Sequence, residues 1–430
     1  MKRLAVHFST HLPFFYGWVI LLCACCAGFA RQGPAVATLS IFVTPMTIEF
    51  NWSKTALSGA VSLGGLLAAA ISPLLGPLVD RHGARAILCF AIVTTALCSM
   101  LISYTNSLTM FYILFCVARM NFAGPFDLGI YGAVNNWFIR RRPRAISIVT
   151  LTQMAGLTSM PLIAYAVMDA LDWRAAWIAI GLIVFIVGFF PTFFLMCRRP
   201  EDIGLLPDGA LKKSDTFNNE QITEEPSFTR SQAINTKAFW LLITFTAMVY
   251  PIQAGVSLHQ APHLLERGLS PASAAVTVSI FSLLSGLSAI LYGFTVRRFG
   301  VRTNLLFASA SLGISCILML AIQTVGMAYL AATLFGIGIG GILCVLPIIW
   351  ADYFGRGSFS SIRGIVLTVQ ISSQAAGPII SGLLWDWNKT YEISLLLFTG
   401  MSILAAIISL IIKPPNHLLL QTTAREKMRF

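Results

Sequence analysis

Charged residues are scarce in this sequence. Asp, Glu, Lys and Arg make up 11% of its 430 residues, whereas 57% are hydrophobic. Water-soluble domains carry about 25% charged residues, so the chain lacks the polar surface that a soluble globule needs. Its apolar residues come in blocks of about twenty, the length that crosses a bilayer core. The composition predicts a polytopic membrane protein.

The sequence also lacks the residue clusters that catalytic and metal sites need. It contains no evident nucleophile–base pair or phosphate-binding loop, and Cys23, Cys25 and Cys26 have no histidine or carboxylate beside them. These cysteines are better explained as small apolar helix residues. All nine cysteines lie in or beside apolar blocks, where we expect free thiols. We therefore expect no enzyme activity, no metal and no cofactor.

The apolar blocks predict an all-α fold with twelve transmembrane helices. The first block is too long for a signal-peptide core and lacks a cleavage signature, so we interpret it as a retained helix. The predicted spans are 16–39, 55–79, 86–104, 109–133, 144–168, 175–196, 238–260, 272–293, 303–322, 327–350, 364–384 and 391–412.

The positive charges follow the topology of these spans. With the N-terminus inside, the predicted cytoplasmic segments hold 23 of the 29 Lys and Arg, the outer loops hold four, and two lie within spans. Short cytoplasmic loops of membrane proteins carry such an excess. The bias predicts both termini in the cytoplasm. It also accounts for the net charge of +12 without nucleic acid as a partner.

The longest polar segment, 198–236, lies between the sixth and seventh spans. Its mixed charge and low hydrophobicity are typical of a linker. We therefore predict a six-helix bundle over residues 1–197, a cytoplasmic linker over 198–236 and a second six-helix bundle over 237–430.

The two predicted bundles repeat each other. GPLVDRHGAR (76–85) aligns with GFTVRRFGVR (293–302), EFNWSKTALSGAVS (49–62) with ERGLSPASAAVTVS (266–279), and NWFIRR (136–141) with DYFGRG (352–357). A repeat over half the chain is typical of transporters built from two related bundles around a midplane site.

The loop between spans 2 and 3 carries the most specific motif. GPLVDRHGAR resembles the loop motif of the major facilitator superfamily, and the resemblance extends over essentially the whole chain. It implies that the Asp and Arg side chains form a gate lock, whereas the glycines permit a tight turn. In the second copy Arg297 replaces the Asp, which puts that lock in doubt. The matching gate residues are Gly76, Leu78, Asp80, Arg81, Gly83 and Arg85.

Three further stretches narrow the resemblance. FYGWVI (15–20), NWFIRRRPRA (136–145) and RRPEDIGLLPDG (198–209) are similar to the bacterial branch related to monocarboxylate transporters and oxalate–formate antiporters. This resemblance implies a location in the bacterial inner membrane. Those relatives are expected to bind anions with charged residues of span 8, or of spans 8 and 11. Here both spans lack such charges except Arg363 at one edge, so those binding residues do not carry over.

Two arginines lie inside predicted spans, and the resemblance places both spans along the transport cavity. Arg31, followed by Gln32, lies roughly 12 Å from the outer end of span 1, and Arg119 lies roughly 15 Å down span 4. The single acid in the interior of any span is Asp127, two turns nearer the cytoplasm than Arg119. Charges within a membrane usually serve function. We expect Arg31 to lack an acid at its own depth and to meet a substrate carboxylate, with pairing to Asp127 as the alternative.

The second half supplies uncharged polar groups. Span 7 contributes Tyr250, Gln253 and His259, and span 11 contributes Gln370 and Gln374. Amides and hydroxyls of this kind can bind substrate or join helices. Asp127 and His259 are the candidate groups for coupling, because transport of a proton needs a titratable side chain in the pathway.

These residues predict a secondary transporter for a small organic anion, coupled to protons or to a counter-anion and acting as a monomer. One alternative substrate is a planar, weakly charged nutrient, such as riboflavin or an aromatic acid, held by Phe122, Phe126, Tyr131, Tyr250 and Gln374. An efflux permease is a further alternative, and span 5 lacks the Gly-Pro pairing typical of drug antiporters. A sensor or assembly protein is disfavoured, because a scaffold that does not move needs no gate lock.

Overall fold

The computed structural model describes residues 13–52, 54–209 and 227–415. Predictions that concern the chain termini, Ser53 and the middle of the linker lie outside these residues. The first half contains α1 Gly17–Ala30, α2 Val36–Phe50, α3 Lys54–His82, α4 Ala84–Ile102, α5 Leu108–Ala123, α6 Pro125–Trp137, α7 Arg142–Ala170 and α8 Trp173–Leu195. The second half contains α9 Arg230–Ile234, α10 Lys237–Glu266, α11 Pro271–Leu320, α12 Val325–Phe354, α13 Phe359–Asn388 and α14 Glu392–Ile411.

The described residues form helices of membrane-spanning length. Nine helical stretches in this part of the chain are long and apolar enough to cross a bilayer. One of them lies in α11, which contains two predicted spans joined at a non-helical residue, Gly300. The shorter pair α1 and α2 forms the first predicted span, and α13 forms the eleventh. The prediction of an all-α fold with twelve spans is confirmed.

The chain divides into two compact units, Met1–Ala210 and Leu211–Phe430. In the first unit, α4 packs against α8, and α1 packs against α7 and α8. In the second unit, α10 packs against α13, while α11 packs against α12 and α14. The predicted residue bounds of the two bundles and the linker stay a prediction.

Repeat-related positions have the same backbone geometry. Gly83 joins α3 to α4 with φ 85° and ψ 161°, and its counterpart Gly300 has φ 80° and ψ 163°. A positive φ of this size favours glycine because no Cβ clashes with the backbone. This agreement supports the alignment of the two loop motifs.

A tryptophan–glutamate pair also recurs in the two units. Trp173 Nε1 donates to Glu49 Oε2 at 2.6 Å, and Trp385 Nε1 donates to Glu266 Oε1 at 2.6 Å. Glu49 and Glu266 are aligned in the repeat. In each unit, one indole–carboxylate hydrogen bond therefore holds the C-terminal end of the first span, at Glu49 in α2 and at Glu266 in α10.

The segment after α8 packs on the first unit. The carboxylate of Asp208 accepts backbone N–H groups of Ile139, Arg140 and Arg141 at 3.0, 2.6 and 3.1 Å. Gly209 lies beside the ring of Phe15. The first twelve residues of the predicted linker thus fix the turn between α6 and α7.

The start of the second unit contacts the repeat-related turn. The Gly357 N–H donates to Ser227 Oγ at 2.8 Å, and the Phe228 N–H donates to the Phe354 carbonyl at 2.9 Å. This turn follows α12, as the turn that Asp208 binds follows α6. Both described ends of the connecting segment therefore bind equivalent turns.

Candidate functional site

Two predicted spans are broken within the bilayer-spanning region. The first is α1 followed by α2, separated by a turn over residues 31–34. The fourth is α5 followed by α6, separated by Gly124 with φ −106° and ψ −83°. Each break contains a Gly-Pro pair, and proline removes an N–H and clashes with the carbonyl four residues earlier. The predicted spans over 16–39 and 109–133 are therefore each divided into two helices, which the span prediction did not include.

The broken ends place opposite charges where the helix dipoles favour them. Arg31 is the C-cap of α1, and Asp127 lies in the first turn of α6. A cation is stabilised at a helix C-terminus and an anion at an N-terminus. Discontinuous helices of this kind form the binding sites of several transporter folds. The breaks thus turn two helix ends into a charged site.

Arg31 and Asp127 form an ion pair at this site. Arg31 Nη1 lies 3.6 Å from Asp127 Oδ2, and the two side chains are 12% and 5% exposed. The expectation that Arg31 has no acid at its own depth is wrong, because the break in the fourth span brings Asp127 to it. Since α2 continues to Phe50, more residues separate Arg31 from the outer end of the first span than we predicted.

Both arginines contact the ring of Phe122. The Cζ atoms of Arg31 and Arg119 lie 4.5 and 4.2 Å from its centroid. These are cation–π distances, and such contacts gain strength when water is excluded. One aromatic ring therefore positions the two guanidinium groups of the site.

Arg119 is incompletely satisfied. Its Nε and Nη1 atoms are buried and have no hydrogen-bond partner among the described residues. Its aliphatic stem packs on Gly64 of α3, where an added Cβ would lie 2.7 Å from the Arg119 Cβ. Buried donors without partners are costly. An oxygen-bearing ligand at this guanidinium would remove that cost.

Gln32 lies beside Arg31 but packs into a helix contact. It is buried, and its Nε2 is 3.5 Å from the Gly28 carbonyl. Gly156 of α7 faces its side chain, and a Cβ there would lie 2.9 Å from the Gln32 Cγ. Its role in substrate binding stays a prediction.

In the second unit, the predicted polar residues lie on two helices that touch. A Cβ added at Gly377 of α13 would overlap the Pro251 carbonyl of α10. Tyr250 of α10 is buried, and Gln374 of α13 is half-buried. Gln253 and Gln370 each have a buried Oε1 without a hydrogen-bond partner in the described part of the chain. Their predicted role in substrate binding stays a prediction.

His259 is held on both sides of its ring. Its Nδ1 lies 3.3 Å from the Tyr391 hydroxyl, and its Nε2 lies 3.2 Å from the Pro378 carbonyl. Polar partners at both ring nitrogens fix the ring within the second unit. The prediction that His259 carries a proton stays untested.

The loop motif is organised around Gly83 and Arg198. The Asp80 carbonyl accepts a hydrogen bond from Arg198 Nη2 at 2.6 Å. Arg85 lies over the Phe193 ring, with its Cζ 5.3 Å from the centroid. Gly76 lies within α3, and Arg81 is exposed. The predicted tight turn at Gly83 is observed, whereas the gate lock stays a prediction.

Comparisons with known proteins agree with this architecture. The family model described as Major Facilitator Superfamily matches residues 20–259 and 256–428. Monocarboxylate transporter 2 of Mesocricetus auratus is 21% identical over 433 residues, with 96% of this chain and 87% of the relative covered. Monocarboxylate transporter 11 of Mus musculus is 22% identical over 401 residues, with 89% and 84% covered.

Solved structures share the fold at low sequence identity. A bacterial homologue of the iron transporter ferroportin in an outward-facing state has a TM-score of 0.72 at 13% identity, with 93% of this chain and 99% of that chain covered. A proton:xylose symporter bound to 6-bromo-6-deoxy-D-glucose has a TM-score of 0.70 at 12% identity, with 93% and 96% covered. At these identities the likeness supports the fold alone.

Proposed function

Because this chain belongs to the major facilitator superfamily and is a membrane transporter, we propose that it moves a small organic anion by alternating access. The substrate is a mono- or dicarboxylate. The incompletely satisfied guanidinium of Arg119 carries the proposal, because a carboxylate supplies the acceptors that its buried Nε and Nη1 lack. Arginine matches the planar geometry of a carboxylate better than lysine does.

The charge count of the site favours one carboxylate. Arg31 and Arg119 contribute two positive charges, and Asp127 contributes one negative charge. A monocarboxylate would neutralise the one remaining positive charge, whereas a dicarboxylate would leave an excess negative charge at a site shielded from water. Buried charges are stable only when paired. The names of the relatives, monocarboxylate transporters, support the same substrate class.

The alternative of a planar, weakly charged nutrient has less support. Phe126 and Tyr131 are buried and offer little aromatic surface for stacking. The ring of Phe122 is occupied by the two guanidinium groups. An uncharged substrate could offer oxygen acceptors to the Arg119 nitrogens, but it would leave the surplus positive charge of the site uncompensated.

We propose Asp127 as the coupling group in preference to His259. A substrate carboxylate that binds Arg31 competes with Asp127 for that guanidinium, so substrate binding and the carboxyl group of Asp127 are linked. His259 instead has polar partners at both ring nitrogens. This scheme is proton symport, and exchange for a counter-anion is the alternative. The charge bias supports cytoplasmic termini, and the resemblance to the bacterial branch of the family supports a location in a bacterial inner membrane.

Counterflow in proteoliposomes tests the proposal. The panel contains mono-, di- and aromatic carboxylates together with uncharged nutrients, including riboflavin. We expect a monocarboxylate to give saturable uptake that Arg119→Gln abolishes. The control Arg174→Gln changes an arginine that pairs with Glu49 at 2.6 Å, away from the site. Preference for an uncharged compound would refute the anion assignment.

A further inference from the structure

A second charged recess lies in the first unit, away from Arg31 and Arg119. It is a crevice of about 530 Å³ between the start of α4, the end of α8 and the segment that follows α8. Arg85, Arg198, Phe193 and Phe194 contribute to its walls. The proposed substrate site does not include this crevice, although Arg85 is one of the predicted gate residues.

The polar end of the crevice is preorganised. Arg198 Nη2 donates to the Asp80 carbonyl at 2.6 Å, and the Arg198 stem packs on Gly83, where a Cβ would lie 2.8 Å away. The Arg198 Nε is buried and has no hydrogen-bond partner in the described residues. Fixing the guanidinium in advance lowers the entropy cost of binding an anion.

The charge balance of the crevice is positive. Arg85 and Arg198 line it together with one carboxylate, Asp202, and with His82. Arginine forms strong, charge-assisted hydrogen bonds with phosphate oxygens. The polar end therefore suits a phosphate group better than a cation.

The other end of the crevice is aromatic and continuous with exposed apolar surface. Phe194 is 49% exposed and shares the wall with Phe193. One helical turn further along α8, Phe190 is 47% exposed, and on α4 Phe90 is 64% exposed. In a transmembrane protein such a surface faces acyl chains. A free phosphate ion would contact only the polar end of the crevice. A phospholipid would contact the polar end with its headgroup and the aromatic end with an acyl chain.

The location of the crevice agrees with this ligand. It lies at the ends of α3 and α8 that the charge bias predicts to be cytoplasmic. Anionic lipids populate the cytoplasmic leaflet, and basic pockets between helices on that side bind their headgroups. We propose that this crevice binds an anionic phospholipid, with its phosphate on Arg85 and Arg198 and an acyl chain along Phe193 and Phe194.

Native mass spectrometry of the full-length protein tests this site. The detergent-purified chain is titrated with dioleoyl phosphatidylglycerol and, separately, with dioleoyl phosphatidylcholine. We expect Arg198→Gln to weaken the tightest phosphatidylglycerol site about fivefold, since each basic residue near the headgroup contributes an effect of that order. The matched control is Arg199→Gln, because Arg199 does not line the crevice. We expect this variant to bind phosphatidylglycerol with an affinity within twofold of the wild type.

Three further variants keep the test independent of folding. Arg198→Lys retains the charge and should retain most of the phosphatidylglycerol binding. Phe194→Ala should weaken binding of the lipid, whereas Phe307→Ala, which changes a similarly exposed ring on α11 of the second unit, should not.

Inorganic phosphate forms the last arm of the experiment. We expect it not to displace phosphatidylglycerol at equal concentration. Equal lipid affinity in Arg198→Gln and Arg199→Gln would overturn the proposal. Full displacement by inorganic phosphate, together with no effect of Phe194→Ala, would also overturn it, since the occupant would then be a free anion.

Discussion

Arg31 and Asp127 form an ion pair that joins two broken helices. Arg31 ends α1 and Asp127 begins α6, with 3.6 Å between Nη1 and Oδ2. Neither residue has a neighbour of opposite charge on its own stretch of helix. The pair forms because the chain changes direction at residues 31–34 and at Gly124. The charged site therefore depends on the breaks as much as on the charges.

Removal of one member of the pair should destabilise the first unit. Arg31→Gln leaves the buried Asp127 carboxylate without this cation, and breaking a buried pair costs about 3–5 kcal/mol. We expect a lower free energy of unfolding in detergent, measured by denaturant titration. The double variant Arg31→Gln/Asp127→Asn should recover at least half of the loss. A double variant less stable than Arg31→Gln alone would contradict a stabilising pair.

Asp127→Asn should tighten the binding of a carboxylate substrate. Asp127 competes with the substrate for Arg31, and the neutral amide removes that competitor. We expect KM in counterflow to fall severalfold while the maximal rate falls, because a tightly held anion leaves slowly. The proton dependence of uptake should also disappear. A higher KM would show that Asp127 helps to bind the substrate.

Gly64→Ala should impair transport without changing any charged residue. The added Cβ would lie 2.7 Å from the Arg119 Cβ and 3.2 Å from the Cys116 Cα, so Arg119 must shift. We expect substrate affinity to fall about tenfold, since bidentate contacts depend on position. The matched control is Gly400→Ala in α14, where nothing lies within 4 Å of the added Cβ. Equal affinity in the two variants would argue against a positioned Arg119.

Asp208→Asn should lower stability by about 1–2 kcal/mol, because hydrogen bonds to a charged acceptor are worth more than neutral ones. The carboxylate accepts three backbone N–H groups of the turn between α6 and α7. Asparagine tolerates the positive φ of 59° at this position. Thermal unfolding measures the effect, with the exposed Asp202→Asn as the control. Identical melting temperatures would mean that the segment after α8 does not stabilise the turn.

Hydrophobic blocks and charge spacing predicted most helices within a few residues, but they did not reveal the two breaks. Proline was not a sufficient signal, because Pro161, Pro191 and Pro347 lie inside unbroken helices. A preceding glycine was not sufficient either, since Gly377–Pro378 lies within α13. Whether a Gly-Pro pair breaks a helix depends on whether neighbouring helices satisfy the freed backbone groups.

The candidate site was predicted in part. The scarcity of charge in the spans identified Arg31, Arg119 and Asp127, because burying a charge is costly. The distances between these three side chains do not follow from the sequence, since an estimate of depth from residue spacing assumes straight helices. The alternative of a planar substrate assigns Phe122 to stacking on that substrate, whereas the ring contacts both guanidinium groups. Sequence spacing did place Phe122 beside Arg119, three residues along one helix, but its contact with Arg31 depends on packing.

The most direct test of the account is equilibrium binding of the best-transported monocarboxylate to the purified protein. Isothermal titration compares the wild type with Arg119→Gln and Arg119→Lys. We predict at least a tenfold loss of affinity for Arg119→Gln and a smaller loss for Arg119→Lys, because lysine keeps the charge but not the planar donor pair. Unchanged affinity in Arg119→Gln would contradict the claim that this arginine binds the substrate carboxylate.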